Sequence, residues 1–132
     1  MIRRVLLVLA LLAATLSQPA FAQTIASKVD YVGTVRFLSV TGLKAKDVNG
    51  LLNLYIEITN SDWDDQEGYY RIAWLDESGF PVWRDEAWKP ILVHGGQIAK
   101  VLVNAPTPKA RDFKIEVSAD ANWFGSTGPA SE

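Results

Sequence analysis

His94 is the only histidine in a chain of 132 residues that contains no cysteine. Any nucleophile–imidazole chemistry must therefore run through this one side chain. A serine–histidine–aspartate relay needs an imidazole held by a carboxylate and in reach of a hydroxyl. His94 stands before Gly95-Gly96 in a tight turn with no neighbouring acid in sequence to orient it, and it reads as an exposed turn residue. One histidine and one methionine also leave no donor set for zinc or copper. The acids come closer to chemistry. Asp62, Asp64 and Asp65 place oxygen ligands in one short stretch, as a hard cation such as calcium requires. The stretch lacks the spacing and the closing glutamate of an EF-hand, so a solvated loop is the stronger reading and a calcium site the weaker one. Glycoside hydrolysis needs two carboxylates facing each other across a cleft, whereas Asp76-Glu77 and Asp85-Glu86 are sequence neighbours in turns. No enzyme activity and no cofactor is expected.

The five tryptophans are the compositional oddity. Trp74 alternates with core positions and is expected inside. Trp88 is expected to close one end of the fold. Trp63 stands among Asp62, Asp64 and Asp65, and burying it would drag those charges inward at high cost. Trp63 is therefore expected to be exposed, as is Trp83 beside Arg84. Flat aromatic faces with polar neighbours suit sugar rings or a protein partner. Trp63, Trp83, Arg84 and Trp123 are accordingly the candidate binding residues.

The elements that would hold these side chains are strands. Residues 31–40 carry the anchors Val32, Val35, Phe37 and Val40 and read as a long first strand with a bend. Residues 42–49 read as a polar connection. Residues 51–59 alternate cleanly, with Leu52, Leu54, Ile56 and Ile58 on one face and Asn53, Tyr55, Glu57 and Thr59 on the other. An acidic loop over 60–68 leads to a strand over 69–75 with Tyr70, Ile72 and Trp74 inward. A turn over 76–79 returns the chain antiparallel over 80–83. Residues 88–93 contain Pro90, which suits a sheet edge. The turn at 94–96 leads to a strand over 97–104. Pro108 to Asp112 offers one helical turn, and residues 113–117 form the last strand, with Phe113, Ile115 and Val117 inward. About seven short strands with turns every ten residues give an all-β, immunoglobulin-like antiparallel sandwich, a barrel being the alternative.

The N-terminus carries an export signal. Arg3 and Arg4 precede an apolar run over 5–16, Pro19 breaks it, and Ala20-Phe21-Ala22 has the small-x-small pattern of a cleavage site. The run is shorter than the roughly 20 residues of a membrane span. The expected division is a signal peptide over 1–22, a flexible leader over 23–29, the sandwich over 30–124 and a flexible tail over 125–132. Cleavage leaves 110 residues, enough for one domain, with eleven basic and fifteen acidic side chains and a formal charge of −4. That balance provides no basic footprint for nucleic acid. Without cysteine there is neither a lipid attachment point nor a disulfide.

From Gly50 to about Val117 the sequence resembles the YcfL-like family of small bacterial envelope proteins. The matching residues are Leu52-Asn53-Leu54 opening a strand that ends at Asn60, then Trp74-Leu75-Asp76 with Gly79, then Trp88, and finally Ala105-Pro106-Thr107-Pro108 leading into Phe113-Lys114. The resemblance implies an immunoglobulin-like sandwich in the envelope and no particular activity. Many members look like lipoproteins; this chain departs from them by lacking the cysteine, which favours a free periplasmic protein with no stable membrane anchor.

These readings converge on a non-catalytic periplasmic domain that binds another envelope protein, with a glycan- or peptidoglycan-binding module as the alternative. They also yield a direct test of export. Mass spectrometry of the periplasmic fraction should find a soluble protein beginning at Gln23; an intact N-terminus in the membrane pellet would contradict it.

Overall fold

The structure, a computed structural model, describes residues 25–119. The expected signal peptide, the tail and Trp123 lie outside the described residues. Seven strands are present: β1 (Val29–Val32), β2 (Leu38–Val48), β3 (Leu51–Asn60), β4 (Gln66–Leu75), β5 (Lys89–Val93), β6 (Ile98–Asn104) and β7 (Asp112–Ser118). They form a four-stranded sheet in the order β1-β7-β4-β5 and a three-stranded sheet in the order β2-β3-β6. All pairings are antiparallel except β1 with β7. The expected all-β sandwich is the observed one.

Alternation builds the core. On β3, Leu54, Ile56, Ile58 and Asn60 are buried and their neighbours are half-buried. Ile72 and Trp74 of β4, Val93 of β5, Val103 of β6, and Phe113, Ile115 and Val117 of β7 meet them from the other elements. The two sheets thus close over inward-facing apolar side chains, the dominant favourable contribution in a chain without cross-links.

Several expected boundaries move. The single strand over 31–40 is two strands in different sheets, because the chain leaves β1 at Gly33, whose φ is 74°, and enters β2 at Leu38. Leu38 and Val40 take the core positions, while Phe37 is exposed. The polar connection over 42–49 is the second half of β2, paired with β3 down to Val48 opposite Leu51. Its Lys44, Lys46 and Asp47 are exposed, and an edge strand with one solvated face need not look apolar. The return over 80–83 amounts to one bridge, Pro81 opposite Leu75. Part of the expected leader is ordered: residues 25–28 form a helical turn, Lys28 pairs with Asp112, and Val29 is buried at the start of β1. Around Pro108 the chain makes a turn rather than a helix.

The register yields a paired prediction. Ile56 is fully buried and Leu102 is 78% exposed. Ile56→Ala should cost about 2–5 kcal/mol and Leu102→Ala no more than about 0.5 kcal/mol. Urea midpoints that shift equally would contradict the register.

Candidate functional site

Between β3 and β4 the acidic loop is built around Asn60, a buried polar side chain. Its Nδ2 donates to the carbonyls of Asp64 (2.8 Å) and Val93 (3.0 Å), and its Oδ1 accepts from the N–H of Asp62 at 2.9 Å. The loop acids serve the same construction. Asp62 Oδ2 accepts from Gln66 Nε2 at 2.8 Å, and its carbonyl accepts from Gly96 N–H at 2.8 Å. Asp65 accepts from Gly95 N–H at 3.0 Å through one oxygen and meets His94 Nδ1 at 3.1 Å through the other. His94 is therefore oriented by a carboxylate after all, one that is 29 positions away in sequence. Gly95 lies so close to the loop that a Cβ there would sit 1.8 Å from the carbonyl oxygen of Trp63. Among the described residues no group of three or more His, Cys, Asp or Glu side chains is placed to hold a metal ion, and Asp62 and Asp65 spend their carboxylates on Gln66, Gly95 and His94.

Trp63 projects from this loop and is 96% exposed. Trp83 and Arg84 lie on the connection between β4 and β5, with the guanidinium 5.8 Å from the ring centre. They line a hollow of about 520 Å³ with Pro81 and Val82, and another of about 430 Å³ with Asp85, Glu86, Ala87 and Lys89. The first hollow is walled by the connection alone, and the second by the connection and Lys89 at the start of β5. Trp63 precedes the start of β4 and Trp83 follows its end. The strand between them, Gln66–Leu75, spans about 30 Å at 3.3 Å per residue. Trp63 and Trp83 thus lie toward opposite ends of β4.

Glu86 is absorbed by the core. Its Oε1 accepts from the indole N–H of buried Trp74 at 2.6 Å, supplying the partner that a buried indole needs. Its charge also acts on Tyr70, whose hydroxyl pKa is raised first by burial and then by Glu86. Arg71 stacks on Trp88 with its guanidinium 4.5 Å from the ring centre and pairs with Glu116. Trp74 and Trp88 are thus structural.

The surface that sequence reasoning could not locate is the open edge at β6. A sandwich of two sheets has four edges, and three are blunted here. β5 carries Pro90, and β1 has only 4 residues. β2 breaks register between Val40 and Gly42, carries exposed lysines, and has the Val40 N–H capped by the Tyr31 hydroxyl at 3.0 Å. β6 runs for 7 residues with no proline, glycine or bulge. Gln97 accepts from Asn60 N–H, and Ala105 N–H donates to Leu52. In an antiparallel ladder both backbone groups of a residue point the same way and successive residues alternate. Ala99, Val101 and Val103 therefore bond β3, while the N–H and C=O groups of Ile98, Lys100, Leu102 and Asn104 face outward at the edge. On the side-chain face of the same four residues, Ile98 is 51% and Leu102 78% exposed. Natural edges normally avoid this combination because it templates pairing with another chain.

Asp65 has a pKa below the ordinary aspartate value, held there first by the His94 hydrogen bond and then by Gly95 N–H. A depressed folded-state pKa stabilises above the unfolded value, about 4, and the benefit is lost as pH falls through the folded value. Asp47, lowered by Arg111 and Gly50 N–H, behaves alike. The thermal midpoint should fall as the pH drops below about 4, and Asp65→Asn should flatten part of that fall. A profile unchanged by the substitution would remove Asp65 from the loop's stabilising contacts.

Residues 25–119 match the family described as a protein of unknown function, DUF1425. The fold is similar to the crystal structure of Campylobacter jejuni cj0090, with a TM-score of 0.61 and 21% identity, covering 70% of this chain and 98% of that one. It is also similar to the crystal structure of a DUF1425 family member from Shewanella sp. pv-4, with a TM-score of 0.56 and 25% identity over 61% of this chain and 75% of that one. No curated protein matches the sequence. The chain belongs to the DUF1425 family.

Proposed function

We propose that this DUF1425 protein is a non-catalytic accessory of the bacterial envelope, exported to the periplasm and cleaved near Ala22, that binds another envelope protein by adding the partner's strand to β6. One observation carries the reading: among the described residues, β6 is the one sheet edge that runs without proline, glycine, bulge or covering side chain while presenting exposed Ile98 and Leu102. Strand addition draws affinity from main-chain hydrogen bonds and specificity from alternate side chains, and β6 offers both. The YcfL-like resemblance supports the envelope setting. The absence of catalysis is supported by the engagement of Asp62, Asp65, Asp76 and Glu86 in loop, turn and core contacts.

Glycan binding through Trp63 and Trp83 is the competing reading, favoured by their exposure and opposed by their separation along β4. Lys100→Pro discriminates, because the Lys100 N–H faces the open edge and its loss removes no bond to β3. A photo-crosslinking residue at Asn104 should trap a discrete envelope protein, and the trapped species should vanish with Lys100→Pro. It should persist with Trp63→Ala and Trp83→Ala, all three variants keeping a thermal midpoint within a few degrees. Persistence in Lys100→Pro, or loss of peptidoglycan sedimentation in the tryptophan variants alone, would reject the edge.

A further inference from the structure

We propose that β6 selects a partner strand carrying an acidic side chain opposite Lys100, with apolar side chains two positions to either side; this rests on strand addition at β6. The pattern follows from the outer face of the β2-β3-β6 sheet, where the register aligns three rows that run out to the edge. Thr59 lies beside Ile98. Gly42, Glu57 and Lys100 form the second row, and Lys44, Tyr55 and Leu102 the third. In the third row the Lys44 ammonium sits 6.0 Å from the Tyr55 ring centre, so Leu102 ends an apolar stripe that a partner's apolar residue would extend. Ile98 ends the first row beside Thr59, and its own exposed side chain is the apolar contact that row offers. Directly opposed side chains on one face of a sheet lie about 4.5–5.5 Å apart, close enough for such pairs to be selected.

Lys100 ends the middle row, and its cross-strand neighbour Glu57 does not neutralise it. A Cβ at Gly42 would lie 2.4 Å from Glu57 Oε2, which shows that the carboxylate lies over Gly42, on the side away from β6. Tyr55 holds it there by donating its hydroxyl to Glu57 Oε1 at 3.1 Å. Among the described residues Lys100 enters no ion pair. The missing side chain at Gly42 thus parks the one nearby acid on β2 and leaves an unpaired ammonium between two exposed apolar residues. A second copy of this chain fits poorly. In the antiparallel register that sets Lys100 opposite the other Lys100, like charges are directly opposed, which is destabilising, and in the register centred on Val101 Lys100 meets Leu102 instead of an acid.

The test uses two soluble, β-branched ten-residue peptides with valine two positions to each side of a central residue, which is glutamate in one and lysine in the other. Binding to the full mature protein is read by fluorescence anisotropy at low salt, with circular dichroism confirming that each variant folds. The wild type should bind the glutamate peptide at least about threefold more tightly, the size of effect expected of one exposed cross-strand pair. Lys100→Glu should invert the preference, and the difference should shrink in high salt. Equal binding of both peptides, lost in Lys100→Pro, would overturn the charge selection while leaving strand addition in place. Binding of neither peptide, or unchanged binding by Lys100→Pro, would overturn strand addition and this inference with it. A wild-type dimer that Lys100→Pro dissolves would put a second copy on the edge and likewise overturn the proposal.

Discussion

The hydrogen bonds of the Asn60 side chain fix where the sheets end. Buried at the last position of β3, the amide reaches the carbonyl of Val93 at the end of β5 in the other sheet, and the Asn60 N–H reaches Gln97 just before β6. An unsatisfied buried polar group costs about 1–3 kcal/mol, so the chain is held to the one arrangement that satisfies this amide. That arrangement makes β5 and β6, consecutive in sequence, the adjacent edges of opposite sheets. The connection over 94–97 must switch sheets within four residues, and it can do so because Gly95 packs its backbone against the Trp63 carbonyl. The acidic loop is bent by the same contacts, which leaves Trp63 outside.

This economy accounts for the distribution of polar chemistry. The residues that look reactive in sequence are consumed in closing the fold: Asp65 and His94 join the loop to the turn, Asp76 accepts from Ser78 and Phe80 N–H in the β4 turn, and Glu86 satisfies Trp74. Among the described residues, one buried side-chain oxygen stays without a hydrogen-bond partner, Glu86 Oε2, with Lys89 Nζ 3.8 Å away; the unpaired backbone edge lies at β6. The exposed Leu102 and Ile98 make no contribution to the core that would explain them. The proline of β5 and the register break of β2 have no counterpart on that edge, and Lys100 is the single charge present there.

Local pattern and long-range pairing were legible to different degrees. Leu54, Ile56, Ile58, Ile72, Trp74 and Ile115 declare their faces by alternation, because burial on one face imposes a period of two. Pro90 declares an edge because it cannot donate to a ladder. Position 33 hides a change of sheet, since a glycine at positive φ reads in sequence as a mere bend. The polar second half of β2 resembles a loop, because an edge strand's outer residues are solvated. Neither the Glu86–Trp74 bond nor the Asp65–His94 pair has a local signal, as each joins residues brought together only by the fold. The openness of β6 is least legible of all: it is a property of strand order, and nothing within residues 98–104 states which strands lie beside them.

The central claim is that the outward-facing half of the β6 backbone is free in the isolated protein and paired when a partner strand binds. Amide hydrogen exchange resolved by NMR tests it most directly. The account predicts rapid exchange at Ile98, Lys100, Leu102 and Asn104 and slow exchange at Ala99, Val101 and Val103, with the fast set becoming protected on adding the glutamate-centred peptide. Uniform protection along β6 in the free protein, or an alternation that the bound peptide leaves unchanged, would contradict it.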